Sequence, residues 1–320
     1  MSGTYILRKG KARLSDLADG NGAFGYPGDY PGRIYYVNNI TGSANNTGLS
    51  WGDPFAQVSQ AITASETYRA AYSGTTNDYV RNIIYVQGTG TMYTYLTALP
   101  NYTDVIGIGA DPRGNGAGIV VIGSNGAYDG ATGSGGSTDM RGTNWYNIQF
   151  VTGNGATYAF HAPVAYRCIW ENCTFGTGDS AAAAPLGGLY IESGSGVTIR
   201  NCSTVQNKYA NVTALKVGNS GGNFSQCLVE DNVFYGSTAG IVNSAYLCNE
   251  TVFRNNFIYG ATYGVQDTST ESTLAGNAWY VDNRICSAAS NGFAITNNGT
   301  LRCVGNQCNE AGTTVWEDGI

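Results

Sequence analysis

The sequence predicts an all-β protein, a coil of short parallel strands wound into a single-stranded β-helix, on three observations. Glycine supplies 46 of 320 residues, beside many Asn, Ser and Thr; glycine weakens helices, and the small polar residues compete for the backbone in turns. Charged residues make up only 12%, against about 25% in an ordinary soluble domain. The chain also repeats itself: "LVEDNVFYGSTAGI" at 228–241 returns as "VFRNNFIYGATYGV" at 252–265.

Residues 1–32 read as an extended arm outside the coil, with Gly and Pro crowded at "GNGAFGYPGDYPG". Arg8, Lys9, Lys11 and Arg13, with no acid through residue 15, give its start a charge of +4, while the remainder holds 12 basic and 22 acidic residues. So acidic a body repels nucleic acid. The basic arm reads either as an anchor for an acidic partner or as a solvated terminus.

Residues 33–80 supply an opening strand and a helix. Asp53 is placed to cap the helix and Pro54 suits its first turn; Phe55, Val58, Ala61, Ile62 and Ser65 share one face, and Gly74 ends it. An amphipathic helix here covers the open end of the coil, which otherwise exposes a sheet edge and an apolar bore.

Residues 81–320 form the coil. "NIIYV" (82–86), "DVIGIG" (104–109) and "GIVVIG" (118–123) read as its first buried strands. Aligning Asn147, Asn172, Asn201, Asn232, Asn256, Asn277 and Asn306 gives intervals of 25, 29, 31, 24, 21 and 29 residues. Units this short, punctuated by turns, leave no room for a helix pair and predict stacked strands about 4.8 Å apart. At a corner Asn tolerates left-handed backbone, and identical amides in successive turns can bond one another. In this alignment Cys173 and Cys202 share a position with Val233 and Phe257, which reads as interior packing; the CxxC spacing of a zinc site is absent.

Over roughly residues 80–310 these features resemble the right-handed parallel β-helix superfamily typified by pectate lyases and phage tailspikes. "IYYVNNITGSANNTGLSWGDPFAQVSQAITAS" (34–65) is similar to the opening segment of many such proteins. The resemblance implies an N-terminal capping α-helix and no particular activity, since the superfamily holds lyases, hydrolases, adhesins and inert virion parts.

Calcium-assisted lyases need clustered Asp with a Lys or Arg base, and hydrolases need paired carboxylates. The chain has no DxD, and the acids that stand out are Glu171 and Asp231, aligned with Arg200 between them. On an outward face they form either an acid pair flanking a cation or a salt-bridge row that avoids like-charge stacking; Glu230 beside Arg254 reads the same way. His161 is the only histidine, and "YAFHAPVAY" around it does not resemble a nucleophile elbow. No residue is assigned to catalysis, a cofactor or a metal. The 23 Tyr and 5 Trp could stack on sugars, yet they are also ordinary strand residues, Trp145, Trp170 and Trp279 among them.

No stretch reaches the roughly 20 apolar residues of a membrane span, and the start lacks a secretory apolar run. Synthesis in a cytosol with reduced thiols is therefore the expectation. The reading that follows is a structural virion component of a bacteriophage, a capsid decoration or short spike without catalytic activity, joined to capsid or tail proteins through its arm. The short tail after Cys308 favours an accessory role. A phage polysaccharide depolymerase and a carbohydrate-binding adhesin remain as alternatives, contact with surface glycans stays open, and flat solenoid faces suit symmetric packing such as a homotrimer.

Overall fold

The computed structural model describes residues 32–71, 80–114, 117–124, 131–132, 139–152, 158–177, 186–204, 211–219, 221–269, 278–287, 291–295, 302–309 and 317–318. The arm through residue 31, with its four basic residues, lies outside them, as do Gly74 and Asn277.

Three sheets wind the described chain into a parallel β-helix. The first stacks ten strands in sequence order: Ile34–Val37, Asn82–Gln87, Thr103–Ile108, Asn144–Tyr146, Ile169–Glu171, Thr198–Arg200, Leu228–Glu230, Thr251–Arg254, Ala278–Val281 and Arg302–Val304. Its inward column runs Val105, Trp145, Trp170, Ile199, Val229, Phe253, Tyr280. All seven are fully buried, and Phe253 and Tyr280 stack at 4.8 Å. A sixteen-stranded sheet covers two further faces, and a four-stranded sheet from Asp139–Arg141 to Phe224–Ser225 makes a short side. "NIIYV" and "DVIGIG" fall in the first sheet, whereas "GIVVIG" contributes Val121–Gly123 to the second.

From Asn144–Tyr146 onward, each described turn leaves the first sheet through a left-handed corner. Asn147, Asn172, Asn201, Asp231, Asn255, Asp282 and Gly305 hold φ between 51° and 64°, a region that Gly, Asn and Asp enter at least cost. The residue after each corner points inward: Ile148, Cys173, Cys202, Asn232, Asn256, Asn283 and Asn306 are at most 1% exposed. The aligned asparagines therefore occupy two different positions. Asn147, Asn172 and Asn201 are corners; Asn232, Asn256 and Asn306 are interior, and Asn283 completes their row.

This one-residue shift corrects two expectations. Cys173 and Cys202 do pack inside, but their counterparts are Asn232 and Asn256, while Val233 and Phe257 face outward at 42% and 38% exposure. Glu171 registers with Arg200, Glu230 and Arg254, so Asp231 drops out of the charge row and Glu230 replaces it. A slip of one residue exchanges the faces of a strand.

The interior amides form a continuous ladder. Nδ2 of Asn232 donates to Asn256 Oδ1 at 2.9 Å, Asn256 to Asn283 at 2.9 Å, and Asn283 to Asn306 at 2.9 Å. Each Nδ2 also donates to a carbonyl of the first sheet, Ile199, Val229, Phe253 and Tyr280 in turn, at 2.7–3.0 Å. Pairing of this kind is what makes a buried amide tolerable.

The helix covers Val58–Ala70, shorter than expected, with Gln57 rather than Asp53 at its N-cap. Gln57 N donates to Gln60 Oε1 at 2.9 Å, a capping-box bond. Phe55 pairs with the opening strand instead, donating to Tyr36 O at 2.9 Å and accepting from Asn38 N at 2.9 Å. Asp53 accepts from Thr47 N at 2.9 Å. Sheet pairing thus outcompetes the Asp-Pro start signal. The expected apolar face holds: Val58, Ala61, Ile62 and Ser65 are buried, and Ser65 Oγ lies 3.0 Å from Thr103 Oγ1.

Candidate functional site

Two outward surfaces bring titratable groups together. The first is the charge row. Arg200 Nη2 donates to Glu171 Oε2 at 2.7 Å, and Arg254 forks onto Glu230 Oε2. Glu171 beside it raises the Arg200 pKa, so that guanidinium stays charged. Below the row, burial and then the carboxylates of Asp104 and Glu171 raise the Tyr146 hydroxyl, while Asp104 pairs with Arg81 and accepts from Asn144 Nδ2 at 2.8 Å. Asp231 sits at its corner and accepts from Asn255 Nδ2. Every acid singled out in the sequence has a cation or amide as partner, and charges alternate in sign from rung to rung.

The second surface gathers residues that lie far apart in the sequence. On the neighbouring face Thr132, His161, Tyr190 and Lys216 stand in one outward column of adjacent strands. His161 stacks on Tyr190 at 4.9 Å and 8°, and the Lys216 ammonium lies 4.6 Å from the same ring. Tyr158 packs beside them, 4.8 Å from Tyr190. Its ring lies across Gly187, where a Cβ would come within 2.6 Å of Tyr158 Cδ1, so only glycine lets the ring lie flat.

Glu192, just past the end of the strand Gly187–Ile191, reaches back one rung. Its Oε1 lies 2.6 Å from His161 Nε2, and Oε2 accepts from Asn219 Nδ2 at 3.0 Å. With Nε2–H donating to the carboxylate, a neutral imidazole presents Nδ1 as acceptor, 3.5 Å from Thr132 Oγ1. Burial, then the charge of Glu192, raises the Tyr190 hydroxyl. The side chains of His161 and Glu192 are 20% and 31% exposed, so solvent reaches the pair. The signal available in the sequence was the repeat itself: His161, Tyr190 and Lys216 occupy the same place in successive turns.

Among the described residues no group of three or more His, Cys, Asp or Glu side chains is placed to hold a metal. No helix among them is long and apolar enough to cross a membrane.

The registered sheets define the class of the protein, a parallel β-helix. No family model matches the chain, and neither does any curated protein. Among solved structures it is similar to the Dettilon tailspike protein (gp208), with 13% identity and a TM-score of 0.45 over 87% of this chain. The chain spans 62% of that tailspike's length, less than two thirds of it.

Proposed function

We propose that the chain is a structural component of a bacteriophage particle, a short spike or capsid decoration whose coil is a stiff body without hydrolytic or lyase chemistry on its charged face. The observation that carries this reading is the alternating row Glu171–Arg200–Glu230–Arg254. A glycosidase needs two carboxyl groups facing each other across the scissile bond; here an arginine of an adjacent strand engages each acid, and Arg200 stands between the two in the row. The row works instead as an external clasp between rungs.

The interior fits a body of this kind. All eight cysteines are thiols outside any disulfide, as in a chain folded in a reducing compartment. The amide ladder and parallel sheets satisfy the backbone turn by turn, the pattern that gives stacked β-structures their durability. Residues 1–32 serve as the anchor to capsid or tail, and the coil packs as a homotrimer.

The test is immunogold labelling of purified particles with an antibody to the coil. The expected result is particle-bound label that disappears when residues 1–32 are deleted, with sedimentation giving three copies per assembly. Absence from particles overturns the reading; so does glycan cleavage by the purified chain that is lost in Glu171→Ala or Glu230→Ala.

A further inference from the structure

We infer that Cys173 and Cys202 are a redox lock: two thiols set on neighbouring rungs so that exchange with a small disulfide joins them covalently along the axis of the coil. The inference rests on the coil interior and is independent of the particle assignment.

All eight cysteines are free thiols, and the register sorts them. Glu171 pairs with Arg200 and Thr174 with Ser203, so Cys173 lies directly beneath Cys202, about 4.8 Å away along the axis. That separation falls within the range of roughly 4.4–6.8 Å between Cα atoms that a disulfide spans. Other thiols are kept apart. Val197 stands between Cys168 and Cys227 in their column, Cys286 registers with Tyr259 and Asn309, and Cys303 and Cys308 register with Tyr280 and Ile285.

The side chains are turned for the bond. Both are buried in the interior. Cys202 Sγ lies 3.5 Å from Trp170 O, a carbonyl of the rung that carries Cys173, so it already leans towards its neighbour. Cys173 Sγ leans onto the rung below, 3.4 Å from Trp145 O, and rotation about its Cα–Cβ bond brings it up to meet Cys202. Burial, and then the Cys202 thiol beside it, hold the Cys173 thiol well above its ordinary range. Since the thiolate is the nucleophile, closed rungs are inert, and the bond forms when they open locally and are then trapped as they close. Above the pair, Cys202 N donates to Asn232 Oδ1 at 2.8 Å, so the lock joins the foot of the amide ladder to the early turns.

Glutathione disulfide supplies the oxidant. One cysteine loses its proton and attacks it, releasing one glutathione and leaving a mixed disulfide; the second cysteine attacks the mixed disulfide and releases the other. The two protons end on the released thiols, the cysteine pair is oxidised, and glutathione disulfide is reduced. A reducing compartment keeps the pair as thiols, and an oxidising medium closes it.

The full chain, freed of reductant, is incubated with glutathione disulfide in urea below its unfolding transition, then denatured, alkylated with N-ethylmaleimide and mapped by peptide mass spectrometry. The expected product has every cysteine alkylated except Cys173 and Cys202, whose peptides are joined. Closing a loop of about 30 residues lowers the unfolded fraction at a given urea concentration roughly a hundredfold, read as a higher urea midpoint that dithiothreitol returns to that of the thiol form. Cys173→Ala abolishes both the joined peptides and the response to dithiothreitol, and Cys202→Ala takes its place if that variant does not fold; Cys168→Ala keeps both. Full alkylation after prolonged incubation, or joining of a different pair, overturns the lock. So does a Cys173–Cys202 bond that leaves the midpoint unchanged.

Discussion

The early and late turns of the coil solve the same interior problem with opposite chemistry. Behind identical left-handed corners, the early turns place Ile148, Cys173 and Cys202, and the late turns place Asn232, Asn256, Asn283 and Asn306. The thiols make long, weak contacts, Cys173 Sγ to Trp145 O at 3.4 Å and Cys202 Sγ to Trp170 O at 3.5 Å. The amides replace them with near-ideal bonds along the axis and into the sheet. Shape alone fills the position at one end of the molecule, and at the other end hydrogen bonding fixes it. The seam is direct: Cys202 N donates to Asn232 Oδ1 at 2.8 Å.

The change most damaging to this contrast is Asn256→Leu, in the middle of the ladder. It takes the acceptor from the Asn232 backbone N–H and from one Asn232 amide hydrogen, removes a donor from Val229 O, and leaves Asn283 Oδ1 only the backbone N–H of residue 256. The expected loss is about 3–4 kcal/mol, read as the shift in urea midpoint. Cys173→Ala, at the equivalent site among the early turns, costs about 1–2 kcal/mol. Equal costs would erase the distinction.

Alkaline pH strikes the thiols and spares the amides. Burial pushes Cys168 and Cys227 from 9.0 up to about 12. Below pH 9 both are protonated whether the chain is folded or not. Above it the unfolded thiols ionise while the folded ones do not, so stability falls by about 1.4 kcal/mol per thiol per pH unit until the folded thiols also titrate. Unfolding followed at pH 8 and pH 10 therefore shows a loss that Cys168→Ala and Cys227→Ala each reduce. A flat profile would contradict the burial of these thiols.

Cys202→Asn extends the ladder by one rung and is expected to stabilise the coil by about 0.5–1 kcal/mol. A destabilised variant would mean that Trp170, beneath that position, leaves no room for an amide. The smallest effect belongs to Arg254→Met in the exposed charge row, where a loss below about 1 kcal/mol is expected and raised salt brings the variant and the parent together.

The fold was legible because its repeat is written in corner residues, and the capping face was legible from Val58, Ala61, Ile62 and Ser65. The register was not. Pairs such as Asp231–Asn232 and Asn255–Asn256 put a corner-forming and an interior-forming residue side by side, and both positions accept Asn for different physical reasons. Aligning Asn147, Asn172 and Asn201 with the second member of each pair shifts the early turns by one and turns the outward Glu230 into Asp231. Gly305 before Asn306 was the available tie-breaker, since glycine marks the left-handed position. The His161 surface was hidden more deeply: Glu192 lies a full turn further along the chain, and only the stacked column brings it to the imidazole.

The eleven-residue strand Val233–Asn243 passes from one face of the coil to the next, its first part paired with Phe257–Gly260 and its second with Tyr263–Asp267, with a register shift against its other neighbour between Asn211 and Thr213. It bends at Gly236, whose missing side chain admits the carbonyl of Ala239, and Gly260 repeats the bend one turn above against Tyr263 O. In engineering terms these turns are a lap joint rather than a hinge. One continuous strand belongs to both faces there, so the two faces cannot part without breaking its pairing on one of them.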